Sequence, residues 1–485
     1  GVKLHTEVAH RYSYIYAFQA GSYALPEILQ TPPMEITVTE AENPLEQMTV
    51  QERLNLSKEH YKAGAFDKAI DVLGTISADE NPQAYATAQN NLGIVYRDQG
   101  KVEQAVEAWN RIPKDVPELY AKAHNNLASA YIKQGETDKA LEAWKNIPSA
   151  APKQYAMAQF NLGVTYAQQN NVDEAVEAYQ RVPKDVTNLY AHAQYNLGAT
   201  YAQQGKMDEA TEAYKNVPDA APAKYAKALN NLGVLYEGQG KAEQASEAYQ
   251  QVPSTVPDQY AMALNNLGVT YYNQGKTEQA LELWETVSAD IPEQYATAQM
   301  NLGMVYDSQG KLEQAIAAWE RVPESLPERY ASAQYNIGTS YVEQGKPTKA
   351  VEAWERIPAS ASEPYAVAQY NTGLIYEEQG NIDDALVAWE RVPKDASEHF
   401  YKAQFNIGGA YYKLGEADEA VAVWKNIPES ASEQYEMAQT NLSIIAENQE
   451  KAKDSGETEQ QDGSAKNQEK PSEQKKQDSG QKQEG

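Results

Sequence analysis

From Tyr85 to Pro113 the chain reads YATAQNNLGIVYRDQGKVEQAVEAWNRIP. In the first half Ala88, Leu92, Val95 and Tyr96 fall at helical spacing on one side. Val102, Ala105, Val106, Trp109 and Ile112 do the same in the second half. Two amphipathic helices are therefore predicted. Gln99-Gly100-Lys101 joins them, with the glycine supplying the left-handed residue that ends the first helix. Pro113 stops the second, because proline lacks an N–H and its ring clashes with the preceding turn. A loop of about eight residues then leads to the next pair.

The unit recurs. Asn91 returns as Asn126, Asn161, Asn196, Asn231, Asn266, Asn301, Asn336, Asn371, Asn406 and Asn441, one every 35 residues, and Asn55 precedes the series by 36. A fixed period in this range signals stacked repeats and overrides the several-domain expectation for 485 residues. The array is read as residues 48–447. It holds one divergent unit (48–84) in which Leu56, Gly64, Ala69 and Leu73 keep the phase, ten regular units (85–434) and a closing helix (435–447). The closing helix replaces the usual Gly and Tyr with Ser443 and Ala446, as expected where a terminal repeat faces water. Residues 1–47 read as an irregular, aromatic-rich segment, with a helical pattern near 8–20 and a strand-like stretch at 35–39. Residues 448–485 are polar throughout and lack the apolar surface that would offset ordering entropy, so a disordered tail is predicted.

The net charge is −28 and the pI about 4.7. No basic stripe of the kind that neutralises phosphates is visible, which argues against nucleic acid and anionic membrane surfaces. No apolar run is long enough to span a bilayer. Cysteine is absent, excluding disulfides and cysteine-based metal sites. The chain starts at Gly1, not Met, so a processed form is one expectation; a cytoplasmic location is favoured over a periplasmic or secreted one, and the compartment stays open. No nucleophile motif, phosphate loop or metal-ligand spacing occurs, and the six histidines are scattered, so neither an enzyme nor a cofactor is expected.

At the level of these motifs the chain resembles the tetratricopeptide repeat (TPR) family. Gln89-x2-Leu92-Gly93-x2-Tyr96, Ala105-x3-Trp109 and Pro117 follow the family pattern. The departures are Gln in place of the first Trp, a 35-residue period and the extra proline at 113 and its equivalents. The resemblance implies an all-α solenoid of helix-turn-helix repeats wound into a right-handed superhelix, with the first helices lining a concave groove. Gly93 and its equivalents are expected where a neighbouring helix approaches closely. All seven Trp share one phase with Tyr179, Tyr214 and Tyr249, and this aromatic stripe is read as core.

The same resemblance places the asparagine series inside the groove, and peptide-binding members carry a similar ladder. An amide offers a donor and an acceptor together, so it can pair with both groups of a peptide bond whatever the side chain. Packed helices lie roughly 8–10 Å apart and an extended chain rises roughly 3.1–3.4 Å per residue, so one rung would serve about every third peptide residue. The competing readings are that the asparagines tether adjacent repeats, or that duplication merely copied them. The residue before each rung drifts, which weakens simple copying. Phe160 and Tyr195 form one aromatic pair in this register, Tyr335, Tyr370 and Phe405 another group, and Asn90, Asn125, Asn230 and Asn265 a polar set. These positions are candidates for side-chain selection, with partial burial against neighbouring helices as the alternative. Lys122, Lys227 and Lys402 each stand one repeat after a rung, at Asn91, Asn196 and Asn371. A carboxylate clamp of the chaperone-binding type needs a second basic residue where this chain has Asn, which argues against capture of a free C-terminus.

The expected function is a non-enzymatic scaffold that binds an extended segment of a protein partner in an Asn-lined groove. The alternative is a self-assembling or autoinhibited scaffold that docks its own N-terminal segment, with Leu25 to Pro33 as the internal ligand. No small-molecule substrate is expected.

Overall fold

The computed structural model describes residues 45–461. The helical pattern near 8–20, the strand-like stretch at 35–39, the segment Leu25–Pro33 and residues 462–485 lie outside the described residues. Within them the chain forms 23 helices and no strand. The first helices of the pairs are α1 (Val50–Lys62), α3 (Pro82–Asp98), α5 (Pro117–Lys133), α7 (Pro152–Gln168), α9 (Thr187–Gln203), α11 (Pro222–Gly238), α13 (Pro257–Asn273), α15 (Pro292–Ser308), α17 (Pro327–Glu343), α19 (Ser362–Glu378) and α21 (Ser397–Leu414). Their partners are α2 (Phe66–Gly74), α4 (Val102–Asn110), α6 (Thr137–Lys145), α8 (Val172–Gln180), α10 (Met207–Lys215), α12 (Ala242–Gln250), α14 (Thr277–Glu285), α16 (Leu312–Trp319), α18 (Pro347–Trp354), α20 (Ile382–Glu390) and α22 (Ala417–Lys425). The last helix, α23, runs Ser432–Gln461. Two compact units are present, one ending at Gln294 and one beginning at Tyr295.

The turn inside a pair is short because Gly100 takes φ 75°, where a residue with a Cβ is strained. Asn170 takes φ 61° at the equivalent place, the residue type that best tolerates that region after glycine. The loop between pairs is shorter than predicted and covers 111–116 in the first regular unit. Pro117 stands at the first turn of α5, where its missing N–H costs nothing, so the helix begins before the tyrosine at 120. The final helix runs on past residue 447, through Gln, Glu, Lys and Ala that favour helix.

The core lies between the two helices of each pair. Trp109, Trp284 and Trp389 are fully buried, as the aromatic stripe predicts. Each presses on the glycine of its own first helix: a Cβ at Gly93 would sit 2.2 Å from Nε1 of Trp109. The indole also donates to a helix carbonyl, from Trp109 to the oxygen of Asn90 at 3.3 Å and from Trp424 to that of Phe405 at 2.9 Å. Truncating such a side chain costs about 3–5 kcal/mol. The outer face is as predicted, with Glu103 and Glu107 exposed on α4.

Candidate peptide-binding face

From Asn91 to Asn406 each ladder asparagine sits on a first helix, one residue before a buried aliphatic or threonine of the core; Asn441 lies on α23, before the partly buried Leu442. That register leaves the rung on the boundary of the packed face, so from Asn91 to Asn441 the rungs are half-buried. The compact unit ending at Gln294 carries the rungs through Asn266, and the other carries Asn301 to Asn441. Asn55 differs: it is exposed and accepts a bond from Nε2 of Gln51 at 3.1 Å within its own helix.

From Asn126 onward a core aromatic stands 17 residues upstream of each rung, and its type bears on what the rung does. After a Trp, as at Asn126, Asn161, Asn301, Asn336, Asn371, Asn406 and Asn441, the rung amide makes no hydrogen bond to the described residues; the indole N–H of Trp109, Trp284, Trp354, Trp389 and Trp424 donates to the helix of its own repeat, and that of Trp144 and Trp319 is buried without a partner. After a Tyr, the phenol reaches across. Nδ2 of Asn196 donates to the hydroxyl of Tyr179 at 3.4 Å, and Nδ2 of Asn231 donates to those of Tyr214 and Tyr195, both at 3.2 Å. Burial pushes the Tyr179 phenol up to about 12, so it stays protonated at neutral pH. At the third tyrosine the hydroxyl of Tyr249 donates instead to Glu237 at 3.2 Å, and Nδ2 of Asn266 is left buried without a partner. Glu237 also accepts from Thr270 of the next repeat; burial raises its pKa, against the pull of these two hydroxyls. Asp307 and Ser340 repeat this carboxylate–hydroxyl tether at 3.1 Å.

The drifting position has a partner that sequence reading missed, 29 residues downstream on the next first helix. At Asn125, Asn230 and Asn265 the partner is Gln; after Asn90 that place holds Leu119. Nδ2 of Asn125 reaches the backbone oxygen of Gln154 at 3.2 Å and its Oε1 at 3.0 Å. Asn230 with Gln259 and Asn265 with Gln294 repeat the arrangement. Where it is aromatic, the ring packs inward. Phe160 is buried, 6.1 Å from Tyr179 and 6.0 Å from His192. Tyr195 meets Tyr214 at 5.8 Å, Tyr335 stacks on Trp354 at 6.2 Å, and Phe405 tilts on Trp424 at 6.0 Å. Tyr370 meets His399 edge-on at 6.0 Å. The rings thus engage the second helix of their own repeat or the following first helix. The only sequence signal for this was covariation: Gln follows Asn at that offset in three of the four Asn cases.

The three lysines have different surroundings. Lys122 is exposed on α5. Lys402 pairs within its helix with Glu398 at 2.7 Å, which raises its pKa. Lys227 is half-buried on α11, in the same register as His192 on α9. Near the start of α9 a depression of about 460 Å³ opens, lined by Lys153, Asp185, Thr187 and Asn188 among others.

Among the described residues no cluster of three His, Cys, Asp or Glu could hold a metal ion, and no helix is long and apolar enough to cross a membrane. Paired helices of fixed length, a glycine–aromatic contact inside each pair and a polar row along the first helices define a helical repeat scaffold. The tetratricopeptide repeat pattern matches residues 54–120, 90–152, 125–189, 189–252, 259–322, 335–399 and 402–431, and the chain belongs to the tetratricopeptide repeat family. That fold typically mediates protein–protein interactions and is generally non-catalytic. A search of curated proteins found no match. Among solved structures, MamA is 28% identical, with a TM-score of 0.28 over 33% of this chain and 91% of its own. A tetratricopeptide repeat protein from Parabacteroides merdae is 19% identical, with a TM-score of 0.33 over 49% of this chain and 92% of its own. The Naa15/Naa10 complex bound to HypK-THB is 14% identical, with a TM-score of 0.35 over 78% of this chain and 63% of that one.

Proposed function

We propose that the first helices bind an extended segment of a protein partner, with the ladder asparagines pairing to its main chain. The observation that carries this reading is the set of half-buried rung amides that make no hydrogen bond within the described residues. A polar group held at one phase and partly desolvated, yet unspent inside the fold, is available to a ligand peptide bond. The structural-tether reading applies instead at Asn196 and Asn231, whose amides are engaged by tyrosines.

The test is therefore Asn91→Ala/Asn126→Ala/Asn161→Ala, three neighbouring rungs with no internal hydrogen bond to lose. Random peptides displayed on phage are selected against the full chain, and the affinities of the winners are measured on both proteins. At about 1 kcal/mol for each hydrogen-bonded rung, the triple variant is expected to bind about 100-fold more weakly with unchanged helicity. Affinities within twofold of the unaltered chain would remove the ladder from the binding face.

A further inference from the structure

Exposed apolar side chains gather on one face of the unit that begins at Tyr295. Among the described residues ten large apolar side chains are exposed, and six of them lie on α17, α19, α21 and α23. Leu374 and Ile444 stand three residues past the rungs Asn371 and Asn441, and Met437 stands four before Asn441. At helical spacing these offsets share the open side of the helix with the rung. Val342 and Tyr412 lie one turn beyond that register, six residues past Asn336 and Asn406. The intervening second helices α18, α20 and α22 expose only Val387, so the exposure belongs to this face and not to the surface at large. Tyr335, Tyr370 and Phe405, half-buried, continue the apolar surface toward the helix starts.

Two further features of this face weaken its own helices. On α21 the register of Leu374 and Ile444 is held by Gly409, and a Cβ there would meet nothing within 4 Å. The neighbouring Gly408 is different, because a Cβ there would sit 2.4 Å from Nε1 of Trp424. Gly408 serves packing, whereas Gly409 gives up helix stability and leaves an opening. The second feature is acid. Glu328, Glu363, Glu398 and Glu433 are each the second residue of their helix, where the helix dipole favours them. Glu343 and Glu378 are the exposed last residues of α17 and α19, where the dipole opposes them. Up to Glu447 the four helices carry nine acidic residues against three Lys and Arg. Two of those three are paired inside the face, Lys402 with Glu398 at 2.7 Å and Lys413 with Glu377 at 2.6 Å. The result is an apolar strip with acid at both ends of its helices, the pattern of a protein-binding surface.

We infer that the open face of α17, α19, α21 and α23 binds a stretch of the partner in which apolar side chains recur about every third residue, with lysine or arginine beside them. The inference rests on the reading of the first helices as the binding face and names the partner's chemistry there. Apolar side chains of the segment meet Leu374, Tyr412 and Ile444 and enter the opening at Gly409. Basic ones meet Glu343 and Glu378. Four first helices at roughly 8–10 Å spacing span about eight to ten residues of extended chain.

Random 12-residue peptides displayed on phage are selected on the full chain after depletion on Leu374→Gln/Ile444→Gln, so that only binders needing this face remain. The survivors are expected to be enriched at least threefold in Lys and Arg, with apolar residues at about every third position. The best survivor is then made with blocked termini. Its affinity is expected to fall about tenfold on Gly409→Gln, which fills the opening with a better helix former. It is expected to fall about tenfold on Glu343→Gln/Glu378→Gln as well, with a shallower salt dependence. Unchanged circular dichroism in all three variants shows that the losses are local. If the unaltered chain selects peptides but none survives depletion, the surface is overturned and the groove stands. Survivors without basic enrichment, or a best peptide that loses less than twofold on the glycine or the glutamate variant, overturn the partner assigned to it. Survivors that bind Asn336→Ala/Asn371→Ala/Asn406→Ala unchanged sustain the surface and remove the ladder from this stretch. Failure to select any peptide overturns both.

Discussion

Two glycines on one helix should respond to the same substitution with opposite signs. Gly233 and Gly238 both lie in α11, and neither has the positive φ that would itself oppose a side chain. A Cβ at Gly238 meets nothing within 4 Å. Gly238→Ala therefore collects only the helix-propensity gain, at most about 1 kcal/mol and less at a helix end. A Cβ at Gly233 would sit 2.4 Å from Cε1 of Tyr249, more than 1 Å inside ordinary contact. Tyr249 is 1% exposed, so the ring has no open space to swing into. It must leave its rotamer or push α11 and α12 apart, and it would also lose its 3.2 Å bond to Glu237. Overpacking typically costs about 1–3 kcal/mol, and the lost bond about 1 more. After the propensity gain, Gly233→Ala is expected to destabilise by about 2 kcal/mol. Stacked repeats need not unfold as one cooperative unit, so the proper assay is hydrogen exchange of the α11 and α12 amides alongside urea unfolding. Adding Tyr249→Val to Gly233→Ala should recover part of the loss relative to the separate effects. Equal effects of the two alanines, or a stabilising Gly233→Ala, would refute the close-packing account of this glycine series.

Lys224→Met should stabilise the protein by about 1–2 kcal/mol near neutral pH, a figure discounted for partial solvent screening. The folded-state pKa of about 8 lies below the unfolded value near 10.5, so between them the unfolded chain holds the extra proton and stability rises with pH. The gain from Lys224→Met is thus full below about pH 8 and vanishes above about 10.5; thermal melts across that range that show a constant gain would contradict it. Asn230→Ala and Gln259→Ala should each loosen the junction of α11 and α13 by about 1 kcal/mol, with a coupling of about 0.5–1 kcal/mol in the double-mutant cycle. Strict additivity would show that this pair does not couple the repeats.

Much of the fold was legible because the repeat reports itself eleven times. Leu92, Gly93, Tyr96, Ala105 and Trp109 at constant offsets leave one packing solution, and the structure places them there. The candidate site was legible only in outline. The period located the rungs, but not that Trp and Tyr at a single core position treat the next rung differently. Both are aromatic and both are buried, yet the indole N–H, where it bonds, donates back to its own helix, and two of the three phenols reach forward to the following repeat.

By itself, then, the amino-acid sequence determined the helix pairs, their glycine–aromatic seam and the spacing of the asparagine row, because each depends on local periodicity or on contacts at constant offset. Tertiary structure alone decided which rungs are spent, that the drifting position joins one repeat to the next, and that Leu374 and Ile444 stay exposed beside the rungs. These depend on which way a donor points and on distances between residues of different repeats, and a linear pattern carries neither.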